Sequence, residues 1–396
     1  MKKLIVIIFT LMLTLFFACA KTSDKLKSGA TIKLGFIAPM SGDAASYGKI
    51  TSQAAIIAVD EINEQGGING FQVQLIIEDS TGNAATGVEV AEKLIKTDKV
   101  LGIVGGVFSS VSLAVAPMAE RAKVVMISPA STHKDLPDKG KFIFRDIIND
   151  AVQAIVFAKY LATVENVKTA SILYINNDYS KGLAMDFWGE FEKEGGNIVA
   201  SEGVAEGTKD FKSQLRKLAE KNPEALYLPN YVPDVALILK QAKEIGFKAK
   251  IYSADSFGNT QIFDLAGDLA NGVVFTQSAE QPESQIKKRF VAKYEEKWGE
   301  APEMFSLTAY DAAGIILNAI KLKSSKSVIG GDLNIDRDQL RDFIAATQDY
   351  DGASGKIAFT ENGDLVGNIG IFIAEDNKFR QLRSYKLEGQ NLIELK

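Results

Sequence analysis

The chain has one cysteine, Cys19, and one histidine, His133, in 396 residues. A disulfide within the chain is excluded, and so is a metal centre built from His and Cys ligands. A Ser-His-Asp triad would have to use His133, which follows Thr132 in a polar loop and reads as exposed or rim-lining. There is no G-x-S-x-G elbow and no G-x-x-x-x-G-K-[ST] phosphate loop. "GIVGG" (102–106) is too short a glycine signal for a dinucleotide. An excess of basic charge is also missing. Lys and Arg number 45 against 50 Asp and Glu, a formal net charge of -5, which argues against a nucleic-acid surface. Only a hydrolase working through carboxylates alone survives among common catalytic designs.

What is present points to a large exported α/β protein. This length favours two domains, with enough apolar residues to build cores without staples. The first residues, "MKKLIVIIFTLMLTLFFACAKTSDK", carry two lysines, an apolar stretch from Leu4 to Ala18, and then Cys19. That is the layout of an export signal, too short for a comfortable membrane span. Cys19 at the end of the stretch resembles a bacterial lipoprotein processing site, although Phe16 stands where such motifs usually have leucine. Ordinary cleavage after Ala20 is the other reading. The expected division is a signal peptide over 1–18 and a tether over 19–30, lipid-anchored through Cys19, with the protein exported to the periplasm or the outer face of the cell membrane.

From Thr31 the sequence alternates. "TIKLGFIA" reads as a buried strand, and Ile50, Ala54, Ile57, Ala58 and Ile62 fall on one face of a helix. "FQVQLIIED", a helix over 84–96, "VLGIVGG", a helix over 110–121 and "VVMISPA" follow. A second series starts at "TASILYIN" and runs through "EALYLPN", "AKIYSAD" and "GVVFTQS". Strict alternation predicts parallel sheets with helices on both faces, and two similar series predict two lobes. Residues 284–346 read as mainly helical, followed by short strand-like pieces.

Ligands of open α/β sheets sit beyond the carboxyl ends of the strands. In "VGGVFSSVSLAVAP" (104–117), Gly105 and Gly106 let backbone approach closely, and Ser109 and Ser110 add hydroxyls at a helix start, which favours an anion. "ISPAST" brings Ser131 and Thr132 to the same edge. N-capping explains such serines equally well. In the second series Tyr179, Tyr231 and Asp255 follow three strand ends. One carboxylate among tyrosines suits the ammonium of a small zwitterion, while turn-forming and packing roles are the plain alternative.

The segments "IKLGFIAPMSGDAASYG", "AAIIAVDEINEQGGINGFQVQLIIEDSTGNAATGVEVAEKLI", "ISPAST", "FIFR", "NDYSKGLA", "YVPDVALILKQAKEIGFKAKIYSADSFGN" and "LAGDLANGVVFTQ" resemble, in order, the Leu/Ile/Val-binding-protein-like family of ABC-transporter solute receptors. The resemblance runs from about Thr31 to Asn377. It implies a type I periplasmic-binding-protein fold of two doubly wound lobes joined by three crossovers. The lobes would be 31–147 plus 276–347 and 148–275 plus 348–396. It places carboxylate-binding roles on Ser109, Ala130, Ser131 and Thr132, aromatic contacts on Tyr47, Tyr179 and Tyr231, and the ammonium partner on Asp255. Two departures affect the ligand side chain. Branched-chain receptors often have glutamate where this chain has Asp255, and a disulfide-bonded cysteine where it has Phe108.

The expectation is a non-enzymatic receptor for an uncharged α-amino acid, branched-chain or other, needing no cofactor or metal and delivering its ligand to an ABC permease. An amide, urea or aromatic-acid receptor, and a sensor or enzyme activator on the same lobes, are the alternatives.

Overall fold

A computed structural model of the protein describes residues 23–389 and 391–395. The expected signal segment and Cys19 fall outside them. The first lobe opens with β1 (Ser23–Leu26), β2 (Ile32–Ala38), α1 (Ala45–Glu64), β3 (Val73–Asp79), α2 (Ala84–Glu92), β4 (Gly102–Gly105), α3 (Ser109–Ala122), β5 (Val125–Ser128) and β6 (Ile143–Arg145). The last five strands form a parallel sheet in the order β3-β2-β4-β5-β6. β2 and β4 are buried almost throughout, as unbroken apolar runs must be when helices cover both faces. The helix expected over 84–96 is α2 continued by a wider π-type turn over Lys93–Asp98.

The second lobe contains α4 (Asp150–Lys159), β7 (Thr169–Ile175), α5 (Asp178–Lys193), β8 (Asn197–Val204), α6 (Lys212–Ala219), β9 (Ala225–Leu228), α7 (Val232–Ile245), β10 (Lys250–Ser253), α8 (Gln261–Ala266) and β11 (Val274–Ser278). The chain then returns to the first lobe as α9 (Gln285–Trp298), α10 (Met304–Lys323), β12 (Ser325–Lys326), β13 (Leu333–Asp336) and α11 (Arg337–Ala345), with α10 packed along α1. It finishes with β14 (Tyr350–Asp351), β15 (Lys356–Ile357), β16 (Ile369–Glu375), β17 (Lys378–Glu388) and β18 (Asn391–Leu395). The second sheet runs β18-β17-β16-β11-β10-β9-β7-β8, parallel from β8 to β11 and antiparallel beyond. The chain thus passes between the sheets three times, after β6, after β11 and after α11. This is the type I periplasmic-binding-protein architecture.

The segment 284–346 is mainly helical, in α9, α10 and α11, and also holds β13, which alternates buried Leu333 and Ile335 with less buried Asn334 and Asp336, a period of two. One local expectation is corrected. The tether is not free from Ser23 onward, since β1 pairs antiparallel with β13. Asp24 accepts from Arg337 at 2.6 Å, and Lys25 and Lys27 each reach Asp332 at 3.2 Å.

Candidate functional site

Both sheets reverse their winding next to β2 and β4 in one lobe and β7 and β9 in the other, and the loops beyond these strand ends face each other. After β4 the backbone turns sharply. Gly105, Gly106 and Val107 all have positive φ, 135°, 86° and 34°. A Cβ on Gly106 would lie 1.8 Å from the Ser112 hydroxyl oxygen, so only glycine fits there. The turn presents the start of α3. The residue before it, Phe108, supplies no side-chain cap, and Ser109 is the first helical residue. The capping explanation therefore does not apply to the Ser109 hydroxyl, and no side-chain cap from Phe108 occupies the amides of this helix start.

Five expected residues, Tyr47, Ala130, Tyr179, Tyr231 and Asp255, line one cavity. Sequence reasoning assigned no ligand contact to four others on its wall, Val107, Phe108, Ser256 and Phe305. The cavity is small, about 10 Å³, room for one water-sized sphere. Its own aromatic side chains fill the cleft between the lobes. Phe108 of the first lobe stacks on Tyr231 of the second with ring centres 3.9 Å apart, and Tyr179 stacks behind Tyr231 at 5.0 Å. The Tyr231 hydroxyl lies near the Ser109 N–H, off the geometry of a full hydrogen bond, so a phenol oxygen stands close to where an anionic group would be received. Tyr47 latches the lobes, donating to the Ser256 carbonyl at 2.6 Å and accepting from the Val232 N–H at 3.2 Å.

The remaining expected residues divide. The Ser131 hydroxyl turns inward, bonded to the Ser112 hydroxyl and donating to the Val107 carbonyl at 3.1 Å. It fixes the glycine turn rather than facing the cavity, which corrects its expected direct contact. Thr132 is fully buried, and its hydroxyl has no hydrogen-bond partner in the protein. His133 lies at the cleft mouth, half-buried, with its N–H 3.4 Å from the Ser109 hydroxyl oxygen. Burial lowers its pKa, so it is neutral at pH 7.

Asp255 is 3% exposed. Tyr179 donates to it at 2.8 Å, and Gln153 donates to it from α4. Burial nevertheless dominates and raises its pKa to about 6. A second carboxylate, Asp150, was missed from sequence. It stands in the first turn of α4, 1% exposed, with neither oxygen hydrogen-bonded within the protein. Burial and the Asp255 charge push its pKa well up. The nearby Thr132 hydroxyl, off the geometry of a full hydrogen bond, and Arg145 pull it down. Burial thus leaves two carboxylates at this end of the cleft that ionise less readily than free ones, and a cation beside Asp255 would favour its ionised form.

Arg145 holds the loop that carries these groups. Its side chain is fully buried, it pairs with Asp364 of the third crossover, and it donates to the His133 carbonyl at 2.6 Å and the Lys134 carbonyl at 3.3 Å. Asn149 also donates to Asp364, at 3.2 Å. The crossovers are thereby tied directly to the ligand loop. Among the described residues, no group of three or more His, Cys, Asp or Glu side chains is arranged to hold a metal ion.

Comparison with known proteins bears out the fold. The chain is 30% identical over 336 residues to the leucine-, isoleucine-, valine-, threonine- and alanine-binding protein of Pseudomonas aeruginosa, covering 85% of this chain and 87% of that one. It superposes on the branched-chain amino-acid transporter substrate-binding protein LivJ of Streptococcus pneumoniae, solved with isoleucine. That match has a TM-score of 0.79 and 28% identity, covering 92% and 100% of the two chains. A solute-binding protein of an ABC transporter from Rhodopseudomonas palustris, solved with 3,4-dihydroxybenzoic acid, matches with a TM-score of 0.76 and 26% identity over 90% and 97%. The family described as periplasmic binding protein matches residues 31–377. The chain belongs to this family of periplasmic binding proteins, which bind solutes and are not enzymes.

Proposed function

We propose that the protein is the extracytoplasmic receptor of an ABC transporter and binds a free, uncharged α-amino acid, most naturally a branched-chain one, between its lobes for delivery to the permease. The observation that carries this reading is the placing of opposite partners on the two sides of one cleft, with Asp255 on the cavity wall and Ser109 and Thr132 shortly after the wall residues Phe108 and Ala130 in the chain. The uncapped start of α3 and the Thr132 hydroxyl lie on the first lobe, and Asp255 lies on the second. The ligand carboxylate would lie on the Ser109 amide, displacing the nearby Tyr231 hydroxyl, and the ammonium would lie against Asp255 in the field of Asp150. Tyr47, Phe108, Tyr231 and Phe305 supply the apolar wall. Binding and lobe closure are then one equilibrium, because the two half-sites meet only when the lobes do. Cys19 anchors the mature chain through lipid to the outer face of the membrane.

An aromatic acid is the second reading, supported by the stacked Phe108–Tyr231 pair and by the dihydroxybenzoate-bound relative. It leaves the buried carboxyl group of Asp255, on the cavity wall, without a cationic partner, and the amino acid is preferred for that reason.

The test is calorimetry with leucine, isoleucine, valine and benzoate at two pH values. The ammonium needs Asp255 ionised, and the free protein holds that group at about 6. Amino-acid affinity should therefore be full above this value and fall as the pH drops through it, about tenfold weaker at pH 5 than at pH 7. Binding of benzoate alone, or amino-acid affinity that does not weaken at pH 5, contradicts the reading.

A further inference from the structure

The largest apolar side chains left in solvent cluster at one end of the first lobe. Val328 and Ile329, in the turn between β12 and β13, are 102% and 90% exposed, and Leu322 at the end of α10 is 56% exposed. Other exposed large apolar residues reach at most 52%. A two-residue apolar tip in water has no folding purpose, since it packs on nothing and adds nothing to the core. Lysines flank it in the chain, with the Lys323 ammonium over the Phe343 ring and that of Lys326 reaching the Asn69 carbonyl at 3.5 Å. Lys321, Lys323 and Lys326 lie on the α10–β12 segment leading into the turn, all exposed, and no ion pair involves them among the described residues. Lys25 and Lys27 share a single carboxylate, Asp332, just after the turn.

The same small sheet carries the start of the folded chain. β1 is the strand next to β13, and a Cβ on Gly331 of the turn would lie 3.7 Å from the Ser28 side-chain oxygen. β13 is four residues long, so Ser23 and the turn lie at the two ends of a sheet about 10 Å long. Cys19 precedes Ser23 by four residues, a reach of at most about 14 Å.

We propose that the Val328–Ile329 tip and its flanking lysines are a membrane-docking surface that inserts into the headgroup layer of an anionic phospholipid bilayer. This rests on the proposed anchor at Cys19. Apolar tip, basic flanks and short tether on one side of the molecule are the chemistry of an interfacial contact, in which shallow apolar insertion and attraction to anionic lipid act together. Docking fixes how the first lobe stands on the membrane and leaves the second lobe free to close.

The test uses the full lipidated chain in vesicles of mixed phosphatidylglycerol and phosphatidylcholine. An environment-sensitive fluorophore is placed on Ile329→Cys and, as a control in the second lobe, on Glu220→Cys. Lipidation occupies Cys19, so the introduced thiol is the one labelled. Flotation of the chain with the vesicles reports the anchor. The expected result is blue-shifted emission at 329, quenched by lipid-borne quenchers, with water-like emission at 220. Lys323→Glu with Lys326→Glu should lower the docked-to-undocked ratio by about tenfold or more. A chain that floats while both labels behave alike keeps the anchor and overturns the docking. A signal at 329 that follows protein concentration rather than lipid makes the tip a contact between copies and also overturns it. A chain that does not float overturns anchor and docking together.

Discussion

Asp255→Ala should weaken amino-acid binding in calorimetry at pH 7 by about 30-fold or more while leaving the fold intact. Asp255 is buried at the cleft end of the second lobe, held by Tyr179 and Gln153. Removing it leaves the ligand's ammonium without its counter-ion in a closed, water-poor cavity. Truncating one partner of such a buried pair costs about 2–5 kcal/mol, a weakening of about 30-fold to several thousand-fold. Asp150 does not replace it, because it is not on the cavity wall. The unliganded fold should tolerate the change, since burial already disfavours the ionised form of Asp255. A variant that melts like the wild type and binds its amino acid at full strength would falsify the role given to this residue.

Arg145→Ala should produce the largest loss of stability among the residues near the site. The guanidinium is fully buried between the Ser131–Lys134 loop and Asp364, and it donates to the carbonyls of Ser131, His133 and Lys134. Deletion leaves Asp364 facing a void and the loop carbonyls unpaired. Breaking a buried pair in this way costs about 3–5 kcal/mol. Denaturant unfolding of the purified variant reads that loss as a lower midpoint. Ligand affinity should fall as well, because the loop that carries Thr132 loses its support. An unchanged midpoint would mean that the crossovers are held by other contacts and that Arg145 is only a passenger.

Much of the architecture was legible because parallel strands buried on both faces must be unbroken apolar runs. "TIKLGFIA" and "TASILYI" can be little else, and the amphipathic helices between them set the alternation. The loops with chemistry were legible for the same reason, since strand ends locate them. The direction of a side chain was not. Ser131 and Ser109 look alike in sequence, yet the close approach of Ser112 to Gly106 draws Ser131 inward, while Ser109 sits at an uncapped helix start. Asp150 carried no distinguishing signal, because an acid in the first turn of a helix is the ordinary complement to its dipole. Its burial comes from the packing of the crossover against both lobes. Phe305 reaches the cavity from α10, nearly two hundred residues after Phe108, and only the return of the chain to the first lobe puts it there. β13 was missed because four residues of alternation inside a helical stretch are too short to read.

The central claim is that an amino acid is clamped by an uncapped helix start on one lobe and a buried acid on the other. A crystal structure of the protein grown with leucine or isoleucine tests it directly. The ligand's carboxylate should lie on the Ser109 amide with the Tyr231 hydroxyl moved off it, and the ammonium should lie within hydrogen-bond distance of Asp255. Density for the ligand outside the interlobe cleft, or a bound amino acid whose ammonium faces away from Asp255, would contradict the account.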